Sequence, residues 1–199
     1  MRLKGKNVGV AFTGSFCTLK EAMEVMEQLK KEGANLFPIV SENVQKIDSR
    51  FGKAEDFRKQ MEELAGRKVM DTIETAEPIG PTGFLDLLII LPCTGNTLAK
   101  LAGAITDGPV LMAAKAHMRN EKPILLALST NDALGMNFKN IGLLMNAKHI
   151  YFVPFGQDAP AKKPNSMVAR LEYLIPAAKS ALEGKQMQPV ICAPKGACM

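Results

Sequence analysis

The chain has 199 residues, of which 47% are apolar, 23% charged and 6% aromatic, with no Trp; this is the composition of one soluble globular domain, long enough to bury its core without disulfides or a structural metal. Cys17, Cys93, Cys192 and Cys198 form no C-x-x-C pair and there are two His, which counts against zinc-ligand spacings and a disulfide scaffold and predicts free thiols in a reducing compartment. Lys and Arg outnumber Asp and Glu by 25 to 20, a net charge of +5 spread along the chain; with no basic block and few stacking aromatics, that suits small anionic ligands rather than nucleic acid.

The first apolar run, Asn7 to Phe12, predicts a strand ending in Thr13-Gly14-Ser15. A helix follows, with Leu19, Ala22, Met23, Met26 and Leu29 on one face, Thr18 and Glu21 at capping-box spacing and Gly33 where it stops. Neither this run nor Phe84 to Leu91, which contains Asp86, has the length of a signal-peptide core or a membrane span, and a cytoplasmic protein is expected. Asn35 to Val40 is a second strand, its Pro38 pointing to an edge position or a strand end, followed by Ser41-Glu42. Asp56 to Leu64 carries a helical stripe of Phe57, Met61 and Leu64, and Pro78, Gly80, Pro81 and Gly83 mark a loop.

Leu85 to Leu91 predicts a buried strand leading into Pro92-Cys93-Thr94-Gly95-Asn96-Thr97 and a helix carrying Leu98, Leu101, Ala102 and Ile105. Gly108-Pro109 breaks that helix, and Pro109 opens the next, Val110 to Arg119. Pro123 to Leu128 is a further strand, followed by Ser129-Thr130-Asn131-Asp132. Then come a helix from about Asn137 to Met145, a strand from His149 to Val153, a turn-rich loop from Pro154 to Pro160, and a last helix, Ser166 to Glu183, which Pro176 should kink. Residues 185–199 read as a tail suited to packing on a neighbour. Strands alternating with helices predict an α/β fold in three layers, a Rossmann-like, doubly wound parallel sheet in a single domain over residues 1–184.

In such sheets ligands lie beyond the carboxyl ends of the strands, where main-chain N–H groups at helix N-termini bind anions. Hydroxyl, amide and glycine residues follow four strands: Thr13, Gly14 and Ser15; Ser41; Cys93, Thr94, Gly95, Asn96 and Thr97; and Ser129 to Asn131. These are also ordinary turn and cap residues, and their recurrence at strand ends is what points to a phosphate and polar-heterocycle pocket. No G-x-x-x-x-G-K-[ST], G-x-G-x-x-G or G-x-S-x-G is present, so P-loop, standard dinucleotide and α/β-hydrolase sites are excluded and a mononucleotide survives. His117 and His149 fall away from these loops and read as structural. Cys93, near a helix N-terminus that would lower its pKa, reads as a ligand-touching small residue or a reactive thiol.

Thr13-Gly14-Ser15, the stretch Pro92 to Lys100 and the Asn131 region together resemble the flavoprotein superfamily of cysteinyl decarboxylases and flavin prenyltransferases, whose members carry a P-x-S-x-N-T-type stretch and bind FMN in a Rossmann-like subunit. Over nearly the whole chain, and most in Pro154 to Asp158 with Lys163-Pro164-Asn165-Ser166, it is similar to a branch that forms a pyridine dicarboxylate in sporulating cells with a separate nucleotide-binding subunit. The resemblance implies that Thr13, Gly14 and Ser15 hold the FMN phosphate with Ser41 assisting. It implies that Cys93 to Thr97 line the flavin with Asn96 as the characteristic member, that Ser129 belongs to the same site, and that Asn131 contacts a substrate carboxylate. NAD(P) is expected on the partner subunit, and a homo-oligomer, trimeric or larger, with FMN near an interface. The decarboxylases' catalytic His has no counterpart in Ile79 to Phe84, and their cysteine-bearing clamp loop is not recognisable in Pro154 to Pro160. Three functions follow, in order: an oxidising flavin-type subunit, a non-catalytic partner subunit with a phosphate pocket, and a flavin-dependent decarboxylase or prenyltransferase.

Overall fold

The computed structural model describes residues 3–194. Its strands are β1 (Asn7–Phe12), β2 (Asn35–Val40), β3 (Leu87–Cys93), β4 (Ile124–Thr130), β5 (Ile150–Phe152), β6 (Phe155–Gly156) and β7 (Met167–Ala169). The helices are α1 (Leu19–Lys31), α2 (Glu42–Lys46), α3 (Ala54–Ala65), α4 (Ile73–Ala76), α5 (Ile79–Thr82), α6 (Gly95–Ala102), α7 (Pro109–Met118), α8 (Phe138–Met145) and α9 (Leu174–Leu182). Strands β2, β1, β3, β4 and β5 run parallel in that order, the doubly wound arrangement with helices on both faces. One face packs the apolar stripes of α1, α3 and α9, and the other those of α4 to α8. No helix among the described residues is long and apolar enough to cross a membrane.

The expected strand at Asn35–Val40 is present and lies at the sheet edge, where Pro38 costs no ladder bond on its outer side. Gly9 in β1 is required by close packing, because a Cβ there would sit 2.8 Å from Leu85 Cδ1 and 2.9 Å from Leu88 Cδ1. Five expectations are corrected. The loop around Pro78 contains the single turn α5. Cys93 and Ser129–Thr130 belong to strands rather than to the loops after them. Ile105 lies beyond α6 and is exposed. Thr18 makes no capping bond, because its hydroxyl is turned to Ser15 and Ser129.

The fifth is the long helix expected from Ser166. Residues 167–169 instead form β7, pairing antiparallel with Ser129–Thr130 of β4 and with β6, so an antiparallel flap extends the parallel sheet. Pro176 therefore falls in the first turn of α9, where its missing N–H has no partner to lose. Residues 186–194 lie along this chain's own sheet. Gln186 Nε2 donates to Phe152 O and its Oε1 accepts from Phe152 N, both at 2.8 Å; Phe155 N donates to Val190 O and Cys192 N to Phe155 O. Cys198 lies outside the described residues.

Candidate functional site

Strand order reverses between β1 and β3, and the two strand ends are stitched there by one buried hydroxyl. Thr13, 1% exposed, donates through Oγ1 to Pro92 O at 2.6 Å and accepts from Thr94 N at 3.1 Å. A crevice at this place is where doubly wound sheets bind ligands. The structure has a cavity on each side of the stitch.

The first cavity, about 230 Å³, is lined by Thr13, Gly14, Ser41, Thr94, Asn96 and Thr97, all expected from the sequence, and by Glu42, Asn43, Lys100 and residues 107–111. Three helices begin at it: α2 with Ser41 as N-cap, α6 with Thr94 and α7 with Gly108. Their first-turn N–H groups, other than at Pro109 which has none, lack intrahelical partners and stand beside the Glu42, Asp107 and Lys100 side chains that also line the cavity. Thr94 caps α6 in the usual way, its Oγ1 accepting from Thr97 N at 3.3 Å. Ser41 does not cap α2, and its Oγ is enclosed without any hydrogen-bond partner. A Cβ at Gly108 would meet no protein atom within 4 Å, so a side chain there would only obstruct the mouth of α7. Lys100 is paired with Asp107, Nζ to Oδ2 at 2.5 Å, which ties α6 to the segment leading into α7.

The second cavity, about 240 Å³, is lined by Cys17, Thr18, Glu21, Leu91, Pro92, Ala127, Leu128, Ser129, Asp158, Val168, Ala169 and Leu171. Ser15 and Ser129 meet at this side rather than at the first cavity: their Oγ atoms are 2.9 Å apart, with Thr18 Oγ1 3.2 Å from Ser15 Oγ and 3.3 Å from Ser129 Oγ.

The remaining expected residues line neither cavity. Gly95 is buried, and a Cβ on it would come within 2.5 Å of Thr130 Oγ1, 2.7 Å of Asn137 Nδ2 and 2.8 Å of Asp132 Oδ1; it is a glycine because α6 starts against that polar cluster. Cys93 is fully buried, and burial pushes its thiol up to about 12, so desolvation outweighs the helix N-terminus that pointed to a reactive thiol. Asn131 is exposed and accepts from Ser166 Oγ at 3.4 Å. His117 is on the buried face of α7, with Nε2 3.0 Å from Pro123 O. Sequence reasoning assigned no site role to Lys100, Asp107 and Gly108 in the first cavity or to Glu21 and Asp158 in the second; Lys100 and Asp158 stood within the stretches that carry the resemblance, Gly108 at a helix break and Glu21 at a capping position, and Asp107 had no signal.

Residues 1–169 match the Flavoprotein family. The chain belongs to the Flavoprotein family. Within it, this member is 49% identical over 189 residues to the dipicolinate synthase B subunit of Bacillus subtilis (strain 168), covering 95% of this chain and 94% of that one. The crystal structure of the dipicolinate synthase B subunit from Bacillus halodurans superposes with a TM-score of 0.89 at 46% identity, covering 98% of this chain and 100% of that one. At the level of fold alone, this Flavoprotein-family chain also matches SpaF, an FMN-dependent cysteine decarboxylase, with a TM-score of 0.67 at 17% identity over 92% of this chain and 98% of SpaF.

Proposed function

We propose that the chain is the flavoprotein-type B subunit of a dipicolinate synthase, which oxidises a dihydrodipicolinate-type precursor to dipicolinate together with an A subunit, carries FMN itself, and leaves NAD(P) to that partner. The observation that carries the reading is the convergence of Thr13, Gly14, Ser41, Thr94, Asn96 and Thr97 from three separate strand ends on one cavity at the strand-order reversal, where α6 and α7 also begin. First-turn N–H groups and short hydroxyl and amide side chains suit the oxygens of a phosphate. The cavity fits the phosphate end of FMN: Gly108 keeps its mouth clear, and Asn96, Thr94 and Thr97 supply neutral donors and acceptors. The similarity to two dipicolinate synthase B subunits supports the reaction class.

What FMN supplies when bound is a two-electron acceptor for the hydride that a dihydropyridine must lose to become aromatic. The chain's own residues bind and orient. The Thr13 stitch fixes the spacing of the β1 and β3 ends, and the Lys100–Asp107 pair fixes α6 against the lead into α7. A second reading, a protein that binds a phosphate and only supports its catalytic partner, is favoured by the first cavity itself, since its one Lys is already paired and it holds no acid–base couple. By resemblance the protein works in the cytoplasm of the sporulating mother cell as a homo-oligomer.

The test is FMN titration of the purified chain with and without the A subunit. A yellow protein that releases flavin on denaturation, with Ser41→Ala and Asn96→Ala each losing about tenfold in FMN affinity, supports the proposal. A colourless protein that does not bind added FMN refutes it in favour of the supporting role, and carbon dioxide release from substrate refutes the oxidation.

A further inference from the structure

Helix α8 is apolar on both of its sides. The inner side, Ile141 and Leu144, packs into the core. The outer side presents Phe138, 58% exposed, and Leu143, 61% exposed, with exposed Met145 beside them and Met136, 74% exposed, in the turn that leads in. A Cβ on Gly142 would meet no protein atom within 4 Å, so nothing else in the chain leans over this side. A surface helix ordinarily turns a polar face to water; an outward face of Phe, Leu and Met has the composition of an interface centre.

Charge tells which surface fits it. Residues 133–157 contain no Asp or Glu, while Lys139 and Lys148 are exposed among them. The reverse pattern stands at the far end of the same helical layer, in which α4 packs on α7, α7 on α6 and α6 on α8. Residues 69–99 contain no Lys or Arg, and Glu74 and Glu77 are exposed at α4 together with Ile73. Gln45 Nε2 donates to Asp71 O at 2.6 Å and holds the end of α2 beside the start of α4, which adds exposed Ile47 to this edge. One end of the layer is therefore apolar and basic, the other apolar and acidic. Two α8 faces set against each other about a two-fold axis would offer the lysines no carboxylate.

We propose that the α8 face of one copy of this chain docks head-to-tail on the α2–α4 edge of a second copy, with Phe138 and Leu143 against Ile47 and Ile73 and with Lys139 and Lys148 facing Glu74 and Glu77. A single molecule cannot bring the two ends of its own layer together, so the contact forms between copies, and its repetition closes a ring. This rests on the homo-oligomer reading above and gives that assembly its two surfaces.

The experiment is sedimentation velocity on the full chain, wild type and two variants whose fold is checked by far-ultraviolet circular dichroism. One carries Phe138→Glu with Leu143→Glu on α8, the other Ile73→Lys with Glu77→Lys on the opposite edge; all the exchanged residues are exposed. The expected result is a wild type larger than a dimer, each variant a monomer, and an equimolar mixture of the two a dimer and nothing larger, because each variant supplies the face that the other lacks. Lys139→Glu and Glu77→Lys alone, at exposed positions, take their place if a double variant does not fold. A monomeric wild type overturns the proposal and the homo-oligomer reading together. A wild-type oligomer whose assembly survives in both variants overturns the proposal alone. So does dissociation of the α8 variant only, which means that α8 faces pair with each other, and so do monomeric variants that stay monomeric on mixing. An α8 variant that keeps the wild-type assembly but no longer binds the A subunit assigns the face to that partner and overturns the proposal as well.

Discussion

Thr13→Val tests the stitch between β1 and β3, because it keeps the side chain's shape and deletes one oxygen. That oxygen serves both Pro92 O and Thr94 N in a position that is 1% exposed. Leaving a buried donor or acceptor unpaired costs about 1–3 kcal/mol each, and the added methyl returns about 0.8 kcal/mol, so the net loss is about 1–5 kcal/mol. For a chain of this length that lowers Tm by roughly 2–20 °C. Thr13→Ser keeps the hydroxyl and should lose about 1 kcal/mol, mainly buried methyl. Urea unfolding followed by circular dichroism measures both variants, and FMN titration run alongside should show Thr13→Val weakened, since Thr94 caps the helix that opens onto the phosphate cavity. A Thr13→Val protein within about 0.5 kcal/mol of wild type, the scatter of neutral surface changes, would show that the two strand ends are held by packing alone and refute the reasoning.

Alkylation of the native protein with iodoacetamide at mildly alkaline pH, read by peptide mass mapping, should modify exposed Cys17 and leave Cys93 untouched until the chain is unfolded, because burial pushes Cys93 up to about 12; modification of native Cys93 would contradict its burial. His117 is depressed by burial to about 4 from an ordinary 6.5, so the unfolded chain binds more protons between those values and stability falls as pH drops through the window, by about 3 kcal/mol near the lower end. His117→Gln should lose that share of the pH slope when urea unfolding is compared above and within the window, and an unchanged slope would refute the assignment. Gly95→Ala drives a methyl into Thr130, Asn137 and Asp132, with an expected cost of about 1–3 kcal/mol and weaker FMN retention; a wild-type melting curve would mean that the cluster yields freely.

The parallel core was legible because β1, β2, β3 and β4 are nearly continuous apolar runs, each followed by turn chemistry, as strands buried on both faces must be. The flap was not. Met167, Leu171, Leu174 and Ala178 recur at helical spacing, but Met167 and Val168 are claimed by pairing with Thr130, Ser129 and Gly156, residues far away along the chain, and local periodicity does not register a distant ladder. The same limit divides the site. Thr13, Gly14, Ser41, Thr94, Asn96 and Thr97 stand at strand ends, so the sheet alone brings them together. Asp107, Asp158 and Arg170 come from connections and the flap, whose placement depends on contacts made only once the sheet exists. Ser15 and Ser129 stand at the second cavity rather than the first, a division the sequence does not show because a strand-end position does not say which face of the sheet its side chain serves.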